Sequence, residues 1–114
     1  MAAPSDQLGD RLRIVPEFRS DEHERVRELL FGKLERRLSR WEPDQVELEI
    51  SVKDRDSNEQ RMTLECWISG MNRMVATSKQ RDLFQAVVEV RDDLWRQVDK
   101  EVTKRETARR SGGH

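Results

Sequence analysis

The chain has 114 residues, 34% hydrophobic and 39% charged, which is room for one domain with a modest core and too little for a second independent one. A formal charge of −1 excludes a uniformly basic surface, and the single cysteine, Cys66, excludes both an internal disulfide and a cysteine cluster for zinc. No apolar run nears the ~20 residues of a membrane span, and MAAPSDQLGD lacks the basic start and apolar stretch of a secretion signal, so a cytoplasmic protein is expected.

Residues 1–10 read as a flexible tail, followed by one domain over 11–105 and a second flexible tail over 106–114. In Arg11 to Phe18, RLRIVPEF, Leu12 and Ile14 alternate with Arg11 and Arg13, the pattern of a short strand with one buried face. Pro16 is expected to end it or confine it to a sheet edge. Ser20 or Asp21 can then cap a helix whose first turn carries Glu22 and Glu24. Val26, Leu29, Leu30, Leu34, Leu38 and Trp41 fall on one side of that helix, which is expected to run to about Trp41. Gly32 costs it about 1 kcal/mol relative to Ala. Pro43 stops it, and Glu42-Pro43-Asp44 reads as a turn.

Three strands follow. Val46, Leu48, Ile50 and Val52 alternate with Glu47, Glu49, Ser51 and Lys53, the cleanest period-two signal in the chain. After the polar loop DRDSNEQ (54–60), Met62, Leu64, Cys66 and Ile68 alternate with Thr63, Glu65 and Trp67. Gly70-Met71-Asn72 then leads into a weaker strand, Arg73 to Lys79, so the three form an antiparallel meander. The last element begins at Asp82, suited to cap a helix, and Leu83, Val87, Val90, Leu94, Val98 and Val102 make one apolar stripe along it. The order β-α-β-β-β-α predicts an α+β fold: a two-layer sandwich, with both helices on one face of a four-stranded sheet and the other face open.

Little in the chain points to catalysis. His23 and His114 are the only histidines, neither with a second ligand at metal spacing, and Cys66 belongs to the buried side of its strand. No glycine-rich phosphate loop and no nucleophile elbow occurs. The expectation is a protein that is not an enzyme, with no metal, cofactor or small-molecule substrate.

Charge points instead to binding. Residues 22–41 carry six basic and four acidic groups; 42–70 carry three and eight; 71–81 carry Arg73, Lys79 and Arg81 with no acid. Three basic groups stand out: Lys33, Arg36, Arg37 and Arg40; then Arg73, Lys79 and Arg81; then the segment from Lys100 to Arg110. If they converge, they suit an RNA backbone, where Lys and Arg displace condensed counterions. No exposed aromatic pair offers a stacking platform, so shape and phosphate recognition is expected over base readout.

Two segments resemble a known family. Lys33-Leu34-Glu35-Arg36 is similar to the KLE run in the first helix of the ribosome hibernation promoting factors and ribosome-associated translation inhibitors, the protein Y family. Asp82-Leu83-Phe84-Gln85-Ala86-Val87 resembles the start of its second helix, and Asp92, Leu94, Arg96 and Gln97 continue that pattern. The resemblance covers about Arg11 to Lys104 and is to the short form, without the second domain that pairs ribosomes. It implies a non-enzymatic protein that binds the small ribosomal subunit in the channel for messenger and transfer RNA and blocks translation in idle or stressed cells. On the matching segments, contacts to ribosomal RNA are expected from Lys33, Arg36, Arg37, Arg40, Lys79, Arg81 and Arg96. The chain departs from the family at Val88, Asp93 and Trp95, which remove positive charge and widen the apolar stripe. The alternative expectation is therefore a regulatory module, or a weak homodimer, that contacts protein through Val88 and Trp95 and binds ribosomes weakly or not at all.

Overall fold

Period-two alternation becomes a one-sided sheet. Val46, Leu48, Ile50 and Val52, then Met62, Leu64, Cys66 and Ile68, then Met74 and Ala76, are all buried, while the residues between them face outward or are half-buried. The computed structural model describes residues 11–15 and 17–111, with side chains up to residue 107 in the last helix. The tail 1–10, Pro16, residues 112–114 with His114, and the side chains of Arg109 and Arg110 lie outside the described residues.

Strands β1 (Leu12–Ile14), β2 (Val46–Lys53), β3 (Arg61–Ile68) and β4 (Met74–Ser78) form one mixed sheet in the order β1-β2-β3-β4. β1 lies parallel to β2, with Leu12 beside Leu48 and Ile14 beside Ile50, so the chain must cross over between them. The helix α1 (His23–Leu38) makes that crossover. β2, β3 and β4 are the expected antiparallel meander, with Lys53 opposite Arg61 and Met62 opposite Ser78. Gly70 turns β3 into β4 at φ +82°, a left-handed conformation that glycine adopts without a Cβ clash.

Both helices cover the same face of the sheet. From α1, Val26, Leu30, Leu34 and Leu38 are fully buried; from α2 (Leu83–Ser111), Ala86, Val87, Val90, Leu94 and Val98 are too, and all join the strand residues in one core. The Gln85 amide donates to Asp82 Oδ1 at 3.0 Å, so Asp82 caps α2 as expected.

Three boundaries differ from the sequence reading. Neither Ser20 nor Asp21 caps α1 through its side chain. A 3-10 turn, Ser20–Glu22, leads into α1 instead, and Glu22 Oε1 accepts the Arg19 amide at 2.8 Å. α1 stops at Leu38 rather than Trp41, because Ser39 Oγ donates to the Arg36 carbonyl at 2.6 Å and the Trp41 amide turns to the Leu38 carbonyl. The flexible tail expected from residue 106 is corrected over its first part: α2 continues to Ser111. The extension is tied down by polar contacts where apolar ones end, with Glu106 paired to Arg40 and Arg105 donating to the Gly70 carbonyl at 3.1 Å.

Candidate nucleic-acid interface

A helix residue meets the neighbouring helix at a position set by register, and here the contacts rise together along both chains. Arg25 lies over the Phe84 ring, Lys33 reaches Asp92 and Trp95, Arg37 reaches Trp95 and Asp99, and Arg40 reaches Glu106. α1 and α2 therefore run parallel, and the contacts form a ladder along their seam.

That ladder changes the reading of the first basic group. Lys33 Nζ is 3.0 Å from Asp92 Oδ1, Arg37 pairs with Asp99, and Arg40 is 3.3 Å from Glu106. Arg96 lies 3.9 Å from Asp93 on its own helix. Burial pushes the Asp92 carboxyl up, but hydrogen bonds from Arg91 and Lys33 outweigh it and hold the group below the usual carboxylate range. Arg91 also donates to the Leu29 carbonyl at 3.2 Å, so this guanidinium stitches the seam at its midpoint. Of the helix cations expected at RNA, Arg36 alone forms no ion pair among the described residues.

Trp95, expected as part of a free apolar edge, is half-buried and packed on the core, with the Lys33 and Arg37 charges each 5.2 Å from its ring. Such cation–π contacts contribute on the order of 0.5–1 kcal/mol each at partly exposed sites. Val88 is also half-buried. Among the described residues the large apolar side chains left exposed are Trp67 and Val75, both on the open sheet face. That face is laced with its own pairs, Arg13 to Glu49 at 3.3 Å and Arg73 to Glu65 at 3.1 Å.

The second basic group is split between the two ends of β4. Arg73 stands just before β4, while Lys79 and Arg81 follow it at the far end of the sheet, beside the β2–β3 hairpin. There the cations are free: Lys79 and Arg81 are exposed and form no ion pair among the described residues, and the same holds for Lys53 and Arg61. Lys53 and Arg61 were not expected as site residues. A seven-residue loop joining two alternating strands places 53 opposite 61, so hairpin register was the signal that could have found them.

Two of the acids near this end are held in structural roles. Asp82 caps α2. Glu89 accepts Ser78 Oγ at 2.7 Å and Gln80 Nε2 at 2.8 Å, which hold its carboxyl below the usual range. Gln60, read as part of a polar loop, is 2% exposed. Its Nε2 donates to the Gln80 and Arg81 carbonyls at 2.9 and 3.1 Å, and its Oε1 accepts the Asp56 amide at 2.9 Å. A second fastening joins the same hairpin to the approach of α1: Arg55 grips both carboxylate oxygens of Glu22 and donates to the Glu17 carbonyl at 2.8 Å.

For other chemistry the described residues offer little. No group of three or more His, Cys, Asp and Glu side chains gathers among them at metal-binding distance, and no helix among them is long and apolar enough to cross a membrane. Cys66 is fully buried, which pushes its thiol up to about 12, far from the thiolate a nucleophile needs. No protein-family model matches the chain, and no curated protein sequence matches it.

Proposed function

We propose that this chain is a non-enzymatic protein of the small ribosomal subunit's messenger and transfer RNA channel, where it inhibits translation in idle or stressed cells. The observation that carries the reading is the agreement of architecture and motif. The two segments that resemble hibernation factors, Lys33 to Arg36 and Asp82 to Val87, sit in the two helices of a β-α-β-β-β-α sandwich, side by side on one face of the sheet. Binding without chemistry needs only shape and cations for phosphate, and the exposed Lys53, Arg61, Lys79 and Arg81 support that reading.

The ion pairs along the helix seam make the affinity lower than the count of cations suggests, because each Lys or Arg must leave a carboxylate to meet a phosphate. Sedimentation of the purified protein with small subunits at about 50 mM salt, together with a cell-free translation assay, tests the reading. Co-sedimentation and inhibition that fade steeply with added salt are expected. Free protein that stays in the supernatant at low salt overturns it. The second reading, a protein contact through Val88 and Trp95, loses its support where Trp95 is engaged by α1.

A further inference from the structure

Lys53 on β2 and Arg61 on β3 are directly opposite each other, and Lys79 follows Ser78, the last residue of β4 and the partner of Met62, so that it lines the same cleft. Val52 and Met62 point into the core, so by strand alternation Lys53 and Arg61 project from the open face, and Lys79, one residue past β4, is exposed beside them. Two like charges thus stand opposite each other on adjacent strands about 4.8 Å apart, and a third joins them at the end of β4. Like charges placed opposite each other destabilise a sheet. Elsewhere on this face the chain answers Arg13 with Glu49 and Arg73 with Glu65. Here it does not.

The row lines a cleft of about 330 Å³. Asp54 and Glu59 also line it, yet neither forms an ion pair with the three cations, and the adjoining cleft that shares Lys79 adds Arg81 together with Asp82 and Glu89, whose carboxylates accept from the Gln85 amide and from Ser78 and Gln80. The arrangement is held in place: Gln60, buried beneath, fastens the Gln80 and Arg81 carbonyls to the hairpin, so the loop bearing Lys79 and Arg81 cannot swing away from Lys53 and Arg61 without breaking two hydrogen bonds.

We propose that the Lys53, Arg61 and Lys79 row, with Arg81, is a docking site for the phosphodiester backbone of RNA. An anion laid across the row removes the repulsion that the protein alone leaves standing, and a polyanion can meet several cations at once. The choice of RNA as the source of phosphate rests on the ribosome-binding reading; the site itself rests on the Lys53–Arg61 register, on the cleft these residues share with Lys79, and on the lack of ion pairs to them among the described residues.

The test measures binding of fluorescent polyuridylate by anisotropy across a salt series, for the wild-type chain and the triple variant Lys53→Gln/Arg61→Gln/Lys79→Gln. Small-subunit sedimentation is run alongside. The variant is expected to bind polyuridylate at least about tenfold more weakly at 50 mM salt, with the slope of log K against log salt shallower by about 2. A melting temperature at or above that of the wild type separates this loss from unfolding. Wild-type protein that does not bind polyuridylate, or a variant that binds with unchanged slope, overturns the site. Polyglutamate that competes as well as RNA overturns the phosphodiester assignment. If polyuridylate binding depends on the row but small subunits do not bind, the site stands and the ribosome reading falls; if small subunits bind equally with and without the row, the reverse holds.

Discussion

The helix seam and the hairpin end of the sheet carry similar numbers of basic side chains and treat them in opposite ways. Along the seam, Lys33, Arg37 and Arg40 each face a carboxylate on α2, so the cations join two helices and present little net charge. At the hairpin end the carboxylates of Asp82 and Glu89 cap a helix and hold a loop, Asp54 and Glu59 stand beside the cations without pairing, and Lys53, Arg61, Lys79 and Arg81 form no ion pair among the described residues. A count of basic residues therefore says less about where phosphate binds than the question of which acids are already engaged.

The largest effect tests whether the seam is internal structure. Trp95→Ala is expected to cost about 2–3 kcal/mol in denaturant unfolding, below the ~3–5 kcal/mol of a fully buried Trp because the ring is only half-buried. A loss within about 0.5 kcal/mol, the range of an ordinary surface change, instead restores the picture of a free edge awaiting a partner.

Next in size is the fastening under the hairpin end. Gln60→Ala leaves the Gln80 and Arg81 carbonyls and the Asp56 amide without their partner, at an expected cost of about 1–3 kcal/mol. It should also weaken polyuridylate binding although it removes no charge, which distinguishes positioning of the row from charge alone. The Glu22 to Arg55 grip gives the same region a pH dependence. Hydrogen bonding from Arg55 is the main cause that lowers the Glu22 carboxyl from its ordinary value of 4.5, against an opposing push from burial. The stabilisation is thus full above about pH 4.5 and is lost as pH falls through the depressed folded value. Acid unfolding of Glu22→Gln should lack that component.

How much of this was legible from residues alone follows from the range of each interaction. The strands Val46 to Val52 and Met62 to Ile68 were readable because burial on one face imposes a period of two on the sequence itself. The two helix stripes were readable for the same reason at their own period. Gln60 was not: its partners are carbonyls 20 and 21 residues away, and nothing in a polar loop marks one glutamine as buried. The ion pairs of the seam were also hidden, since Lys33 and Asp92 are 59 residues apart and meet only once two helices are laid parallel in one register. Lys79 and Arg81 were foreseen as cations, but that the neighbouring Glu89 and Asp82 accept from Ser78, Gln80 and the Gln85 amide was not legible.

Neutralising the seam's acids sharpens the comparison from the other side. In Asp92→Asn/Asp99→Asn/Glu106→Gln, Lys33, Arg37 and Arg40 are released from their partners, and polyuridylate should bind several-fold more tightly, with a salt slope steeper by up to about 2. If the slope does not move, the ion pairs were not what kept these cations from phosphate, and the seam is excluded from the interface on geometric grounds.

The smallest effect is the most specific to the row. Lys53→Gln removes a positive charge that stands directly opposite Arg61, so it should raise stability by about 0.2–1 kcal/mol at low ionic strength. The gain should shrink as salt is added, because at about 1 M the screening length falls to ~3 Å, shorter than the spacing of adjacent strands. Arg13→Gln, which removes a cation paired with Glu49 on the same face, should give no such gain. The sign of the difference matters more than its size: a surface cation whose removal stabilises the free protein while weakening its grip on RNA is held against repulsion for a binding purpose, whereas one whose removal is neutral in both measurements is solvated surface.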